Sequence, residues 1–281
     1  MTTKKYIKLI LILGSLTALG PFSIDMYLPG FSGIAKDLNT TVAKVSMSLS
    51  SYFIGISAGQ LLYGPLLDRF GRKKPLFVGL LVYILASLGC IYVADIDAFI
   101  LLRFIQAIGS CAATVASVAM VRDLFPVKDI PKVFSLLMLV VGLSPMLAPT
   151  VGGYVTEDYG WHTVFSILMF MGIAILIAAQ IGLPNSYKPD TSISLKPKPI
   201  ITNFINILKE PQFYTYAFTG AIAFSGLFTY VAASPIIFMD IYHVDAKTYG
   251  WIFAFMSVSF IGSSQLNSIL LRRFSSEQMI F

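Results

Sequence analysis

Hydrophobic residues run along the chain in eight long blocks, at roughly 7–28, 45–67, 75–94, 99–121, 133–155, 162–183, 212–238 and 248–270. Each is near the ~20 residues a helix needs to cross the ~30 Å hydrocarbon core of a bilayer. Within the blocks the apolar residues are close to continuous, without the amphipathic spacing of a surface helix. The pattern predicts an all-α membrane protein. Most polar stretches between blocks are short. The exception is 184–211, where Pro184, Pro189, Pro197, Pro199 and Pro211 alternate with Ser, Thr and Lys. This composition reads as a linker, giving a six-helix bundle at 1–183, a linker at 184–211 and two helices of a second bundle at 212–281. Six-helix units joined in this way suggest a two-fold repeated transporter, of which this chain would hold one full half and a third of the other. Inside the linker, 200–209 places apolar residues at i, i+4, i+7 and i+8. A short helix lying on the headgroups fits that spacing; an irregular linker fits it as well.

Charge gives the orientation. With the N-terminus inside, inside loops hold 16 Lys and Arg, and outside loops hold only Lys36, Lys44 and Lys247. The positive-inside rule therefore predicts a cytoplasmic N-terminus and a multi-pass protein of the inner (plasma) membrane. Tyr159 and Trp161 then fall at the outer end of the sixth helix, where amphipathic rings anchor.

Composition narrows the class further. Charged residues make up 12% of the chain, half the ~25% of a soluble domain. The net charge of +6 sits in loops, so it argues for topology rather than nucleic-acid binding. Cys90 and Cys111 lie inside apolar blocks without metal or redox spacing and read as small buried hydrophobes. His162 and His243 fall at helix ends, and neither a phosphate-binding loop nor a zinc-protease motif is present. No enzyme activity, metal or cofactor is expected. The expected partners are membrane lipid, small amphipathic molecules and protons.

Candidate chemistry lies in a few charges at unusual places. Asp25 lies inside the first block, before Pro29. A carboxylate there is costly. It reads either as an interfacial Asp bonded to backbone near Pro29 or as a protonatable, substrate-facing group. Arg103 is the only basic residue well inside a block and comes to a similar depth. Two readings are open for it: pairing with Asp25, or snorkelling outwards alone. Gln106, three residues on, shares its helix face. Between the second and third blocks lies Gly64-Pro65-Leu66-Leu67-Asp68-Arg69-Phe70-Gly71-Arg72-Lys73-Lys74, with Arg122 and Asp123 at the same membrane face. An ion pair there would tie helices in one state and release them in another; a solvated, ordinary positive-inside loop is the alternative. The fifth block carries Gly142, Pro145, Pro149, Gly152 and Gly153, small residues and kinks that permit close helix approach.

Together these motifs resemble the major facilitator superfamily. Gly64, Asp68, Arg69, Gly71, Arg72 and Lys73 match its signature between helices 2 and 3. Arg103 and Gln106 are similar to its fourth-helix motif, with Ala107 in place of a Gly. The fifth helix resembles the antiporter motif, with Ala148 replacing a Gly before Pro149. Ser23-Ile24-Asp25-Met26-Tyr27-Leu28-Pro29 looks like the first helix of the bicyclomycin-resistance (Bcr/CflA) branch. The resemblance implies the major facilitator fold and a proton-driven drug exporter that alternates between inward- and outward-open states. It implies that Asp25, Arg103 and Gln106 belong to the proton and substrate machinery. Asp68 would engage a helix of the second half, Asp123 would pair with Arg72, and the fifth helix would seal the cavity against proton leak. Against the family pattern the chain is expected to be C-terminally truncated by four helices, to be supplied by a continuation of the same frame or by a separate chain. The competing expectations are a same-fold transporter of a metabolite or sugar derivative, and a transport-incompetent remnant.

Overall fold

A computed structural model describes residues 3–184, 187, 189–192, 195 and 197–270. Lys188, Lys196, Arg272 and Arg273, counted above for orientation, lie outside the described residues. The elements are α1 (Thr3–Asp25), α2 (Phe31–Asp37), α3 (Val42–Phe70), α4 (Lys73–Tyr92), α5 (Ile96–Leu124), α6 (Ile130–Tyr159), α7 (Trp161–Gly182), α8 (Pro197–Leu208), α9 (Pro211–Pro235) and α10 (Ala246–Leu270). The described residues contain no strand. This is an all-α membrane fold, with a complete six-helix bundle (α1 and α3–α7) followed by two helices of a second.

Helix ends lie where local chemistry puts them. Thr41 and Asp95 cap α3 and α5, accepting from the backbone N–H of Lys44 (3.2 Å) and Ala98 (2.8 Å). Asp245 does the same for α10 by accepting from Thr248 N–H at 2.8 Å, and the Thr248 bonds hold its carboxyl below the usual range. α3 and α5 have 29 residues each, about 43 Å at 1.5 Å per residue. They overrun the apolar blocks at both ends because a helix continues through the headgroups after hydropathy falls. The first block is not one helix: α1 stops at Asp25, Leu28–Gly30 forms a 3-10 turn around Pro29, and α2 carries on. The seventh block likewise passes from α9 into a π-helical turn, Ile236–Ile241, after Pro235.

Six helical stretches of the described residues are apolar and long enough to cross a membrane. α3 and α10 are not among them. In α3 serines dilute the apolar run, and their hydroxyls are satisfied locally, as Ser48 Oγ on Val45 O (2.7 Å) and Ser57 Oγ on Phe53 O (2.9 Å). α5 is the centre of the bundle, packed against α3, α4 and α1, while α7 lies against α4 and α1 and α6 against α1. α10 runs along α6, and α9 touches α3, with the Phe228 ring tilted against Phe53 at 4.6 Å and Ser46 Oγ donating to Ala232 O at 3.3 Å. Of the 200–209 stretch, residues 200–208 are helical within α8, with Ile201, Ile205, Ile207 and Leu208 exposed.

Candidate transport site and gating network

Arg103 is fully buried, at 0% exposure. It neither pairs with Asp25 nor snorkels outwards. Its guanidinium lies between two tyrosine rings, 4.1 Å from the centroid of Tyr27 and 4.2 Å from that of Tyr52, with Phe165 at 5.7 Å. Nη2 donates to the carbonyl of Ser23 at 2.8 Å, and Nη1 donates to Gln106 Oε1. Ser23 lies in the last turn of α1, where carbonyls lack helical partners and the helix dipole favours a cation. Termination of α1 at Asp25 thus supplies part of the Arg103 site. A desolvated cation over an aromatic face gains about 2 kcal/mol or more. Two such faces, a carbonyl and an amide take the place of a carboxylate. Nε has no hydrogen-bond partner.

This centre is the hub of a polar network inside the bundle. Gln106 Nε2 donates to Ser87 Oγ at 2.7 Å, and Ser87 Oγ to Tyr83 O at 2.7 Å. Tyr83 OH shares a hydrogen with Ser23 Oγ at 2.7 Å, Tyr52 OH with Ser110 Oγ at 2.7 Å, and Tyr27 OH with Ser48 Oγ at 3.1 Å. The network therefore joins α1, α3, α4 and α5 around one cation.

Asp25 ends α1 close by but stands outside this network. It is 5% exposed and makes no hydrogen bond or ion pair with any described residue, so it is neither an interfacial cap near Pro29 nor the partner of Arg103. Tyr249 of α10 is within its electrostatic reach. The Gly152–Gly153 pair brings these elements together. A Cβ on Gly152 would collide with the carbonyl of Met26, and one on Gly153 would come 2.5 Å from the carbonyl of Ala246. The pair is thus wedged between the end of α1 and the start of α10. Pro145 leaves the Val141 carbonyl without its helical donor, and Ser144 Oγ supplies one at 2.9 Å. Gly142 and Pro145 are half-buried in the same helix, and Pro149 is buried. Near this end, Lys247 Nζ bridges Asp158 (2.8 Å) and Glu157 (3.4 Å) of α6, and Trp251 Nε1 donates to Tyr154 OH at 3.2 Å.

At the opposite membrane face, Arg72 collects the signature charges. Nη1 lies 2.5 Å from Asp68 Oδ1 and Nε 2.8 Å from Asp123 Oδ2, so one guanidinium ties α3 and α4 to α5. Burial pulls the Arg72 pKa down, but the bonds to Asp123 and Asp68 outweigh it and the net direction is up. Gly71 makes the turn at φ 81°, where a side chain would be strained. Arg69 stands 5.9 Å from the ring of Phe70, and Lys73 begins α4. A Cβ on Gly64 would meet nothing within 4 Å among the described residues, and the Asp68 side chain is 46% exposed. The linker returns onto this loop: the Tyr187 ring lies 4.0 Å from the Arg72 guanidinium, and Asp190 N–H donates to the Asp68 carbonyl at 3.2 Å.

Reading of the sequence missed the aromatic box. The signal was available as tyrosines inside apolar blocks, Tyr27 and Tyr52, at depths matching Arg103. Trp161 is also not an exposed anchor: it is buried, T-shaped against Phe99, and donates from Nε1 to Asp37 Oδ2 at 2.8 Å, while Tyr159 is exposed.

Comparison with known proteins places this geometry. Residues 13–281 match the Major Facilitator Superfamily. The chain is 35% identical over 271 residues to the bicyclomycin resistance protein homolog of Haemophilus influenzae, covering 96% of this chain and 68% of that protein. It is 31% identical over 251 residues to the multidrug resistance protein MdtL of Escherichia coli, covering 88% of this chain and 63% of that one. Among solved structures, a bacterial homolog of the human lysosomal transporter Spinster, in an inward-facing and unoccupied conformation, superposes with a TM-score of 0.77 at 14% identity. That match covers 99% of this chain and 64% of the other. The chain thus spans about two-thirds of the length of the proteins it matches. With its signature loop, its buried fourth-helix arginine (Arg103, in α5) and its glycine-wedged α6, it belongs to the Major Facilitator Superfamily.

Proposed function

We propose that the chain forms the greater part of a proton-coupled exporter of amphipathic drugs working by alternating access. It would lie in the inner (plasma) membrane with its N-terminus in the cytoplasm, the two bundles and linker dividing at 1–183, 184–211 and 212–281. The observation that carries this reading is a buried carboxylate without hydrogen bond or ion pair among the described residues, Asp25, at the end of α1 that the Gly152–Gly153 pair brings up to the start of α10. A carboxylate with no fixed hydrogen bond or cation is free to take up and release a proton as α10 moves against α1 and α6. Arg103 and Gln106 hold the end of α1 that presents Asp25. Asp68, Arg69, Arg72, Lys73 and Asp123, turned by Gly71, form a breakable tie at the inner face. Gly64 and the exposed side of Asp68 leave a surface there on which a further helix can dock. Gly142, Pro145, Pro149, Gly152 and Gly153 give α6 the close packing that seals the cavity against proton leak. The relatives' names, bicyclomycin and multidrug resistance, support a drug rather than a nutrient as cargo.

The test is Asp25→Asn, with wild type and variant expressed in an efflux-deficient host against a panel of amphipathic antibiotics. Wild type is expected to raise resistance to at least one compound. The variant is expected to insert normally and lose export driven by a pH gradient in inverted vesicles. Undiminished gradient-driven export by the variant removes Asp25 from the proton path, and no resistance to any compound despite good membrane expression removes drug export.

A further inference from the structure

The first turns of α1 and the last turns of α7 enclose a groove of about 520 Å³ lined by Lys4, Ile7, Lys8, Leu11, Ile12, Ala178 and Ile181. From the two lysines and this apolar floor we infer that the groove holds an anionic phospholipid of the cytoplasmic leaflet. The inference rests on the orientation proposed above but not on any transport activity. The volume lies within the ~300–1,000 Å³ of small-molecule sites. No acidic side chain lines the groove among the described residues, and neither Lys4 nor Lys8 has an ion-pair partner there. The lysines are one turn apart and stand on the same face of α1. Their sharp separation from the apolar residues below matches the division between a phosphate headgroup and an acyl chain.

The groove is also built rather than incidental. Gly182 ends α7, and a Cβ there would collide with Ile12 Cδ1 and lie 3.0 Å from Lys8 Cε. The missing side chain lets the Lys8 stem cross the end of α7, leaving the apolar wall of Ile7, Leu11 and Ile181 exposed. Lysine stems lying on apolar surface with their ammonium groups at the interface are the expected behaviour at this depth. Basic pockets between membrane helices at the cytoplasmic face bind anionic headgroups by this chemistry, each lysine contributing roughly a factor of five.

Native mass spectrometry of the delipidated full chain, titrated with phosphatidylglycerol or phosphatidylethanolamine, tests this. Phosphatidylglycerol adducts should predominate, and Lys4→Gln/Lys8→Gln should weaken them about 25-fold, two factors of five. Lys36→Gln, a control in α2 beyond the opposite end of α1, should leave them unchanged. Lys4→Arg/Lys8→Arg keeps the positive-inside signal and should retain them, which guards against a topology defect in the glutamine variant. Equal binding of the two lipids, or equal loss in the Lys36→Gln control, overturns the inference. Displacement of the lipid by excess inorganic phosphate also overturns it, because an anchored acyl chain would resist that competitor.

Discussion

Two arginines, Arg103 and Arg72, come from adjoining family signatures and are stabilised in opposite ways. Arg103 lies in the bundle interior with no acid beside it, held between tyrosine rings and by a helix-end carbonyl and an amide. Arg72 stands at the membrane face between two carboxylates. A carboxylate beside Arg103 would neutralise the site and fix a salt bridge in low dielectric, where breaking it costs several kcal/mol. Rings and carbonyls keep the charge uncompensated, so its field still reaches across the bundle. The Arg72 cluster has exposures of 10% for Arg72, 46% for Asp68 and 14% for Asp123. Water and salt can replace its bonds there, which suits the breakable tie proposed above. The charge in the bundle interior is therefore held fixed, and the cluster at the membrane face is the one that solvent can loosen.

The largest effect that would break this contrast lies at Arg103. Arg103→Met fills similar volume and removes the uncompensated charge, so the fold should survive with melting temperature near wild type. Gradient-driven export should nevertheless fall to background. Arg103→Lys keeps the charge but cannot stack a planar face on both Tyr27 and Tyr52. It should lower stability by about 2 kcal/mol, the cation–π contribution. Thermal unfolding in detergent together with vesicle transport separates the two. If the lysine variant is as stable as wild type and the methionine variant unfolds, the aromatic box is not what holds this site.

A smaller effect is expected at Asp123. Asp123→Asn leaves Arg72 with Asp68 alone and loosens α5 from the α3–α4 turn. A double-mutant cycle with Arg72→Gln should give a coupling of about 1–2 kcal/mol, as for a charge-assisted pair that is only partly exposed. That coupling should shrink as salt is raised, whereas the Arg103→Lys defect should not. A salt-independent coupling at Asp123 would make the two arginines alike.

Much of this contrast was legible in the sequence for one site and little for the other. The loop residues 64–74 are contiguous, so spacing alone brought Asp68 and Arg72 within one helical turn, and the family motif brought in Asp123. The Arg103 site draws on α1, α3, α5 and α7. Hydropathy reports that each crosses the membrane but not which face meets which. Charge matching suggested Asp25 as partner because it weighs opposite charges and not ring faces or helix-end carbonyls. The break in α1 escaped for a related reason: Pro29-Gly30 marks a turn, yet the surrounding residues stay apolar through Leu28 and resume at Phe31. Where α3 is rich in serine, the apolar block still predicted the helix, because hydroxyls bonded to their own backbone cost little in a packed interior.

The smallest expected effect concerns what lies over the Arg72 cluster. Tyr187 covers the Arg72 guanidinium at 4.0 Å, Asp190 N–H reaches the Asp68 carbonyl, and Pro189 lies 3.4 Å from where a Gly71 Cβ would be. The linker is thereby strapped to the loop that holds the Arg72 cluster. An exposed cation–π contact contributes only about 0.5–1 kcal/mol, so Tyr187→Ala should leave melting temperature almost unchanged. Its local effect should be larger, and hydrogen exchange in peptides spanning 184–196 should accelerate several-fold. Tyr187→Phe keeps the ring and should restore protection, while raising salt should not mimic Tyr187→Ala unless the carboxylates, not the ring, hold the strap. Equal exchange in wild type and Tyr187→Ala would detach the linker from the Arg72 cluster. The reversible tie would then consist of Asp68, Arg72 and Asp123 alone.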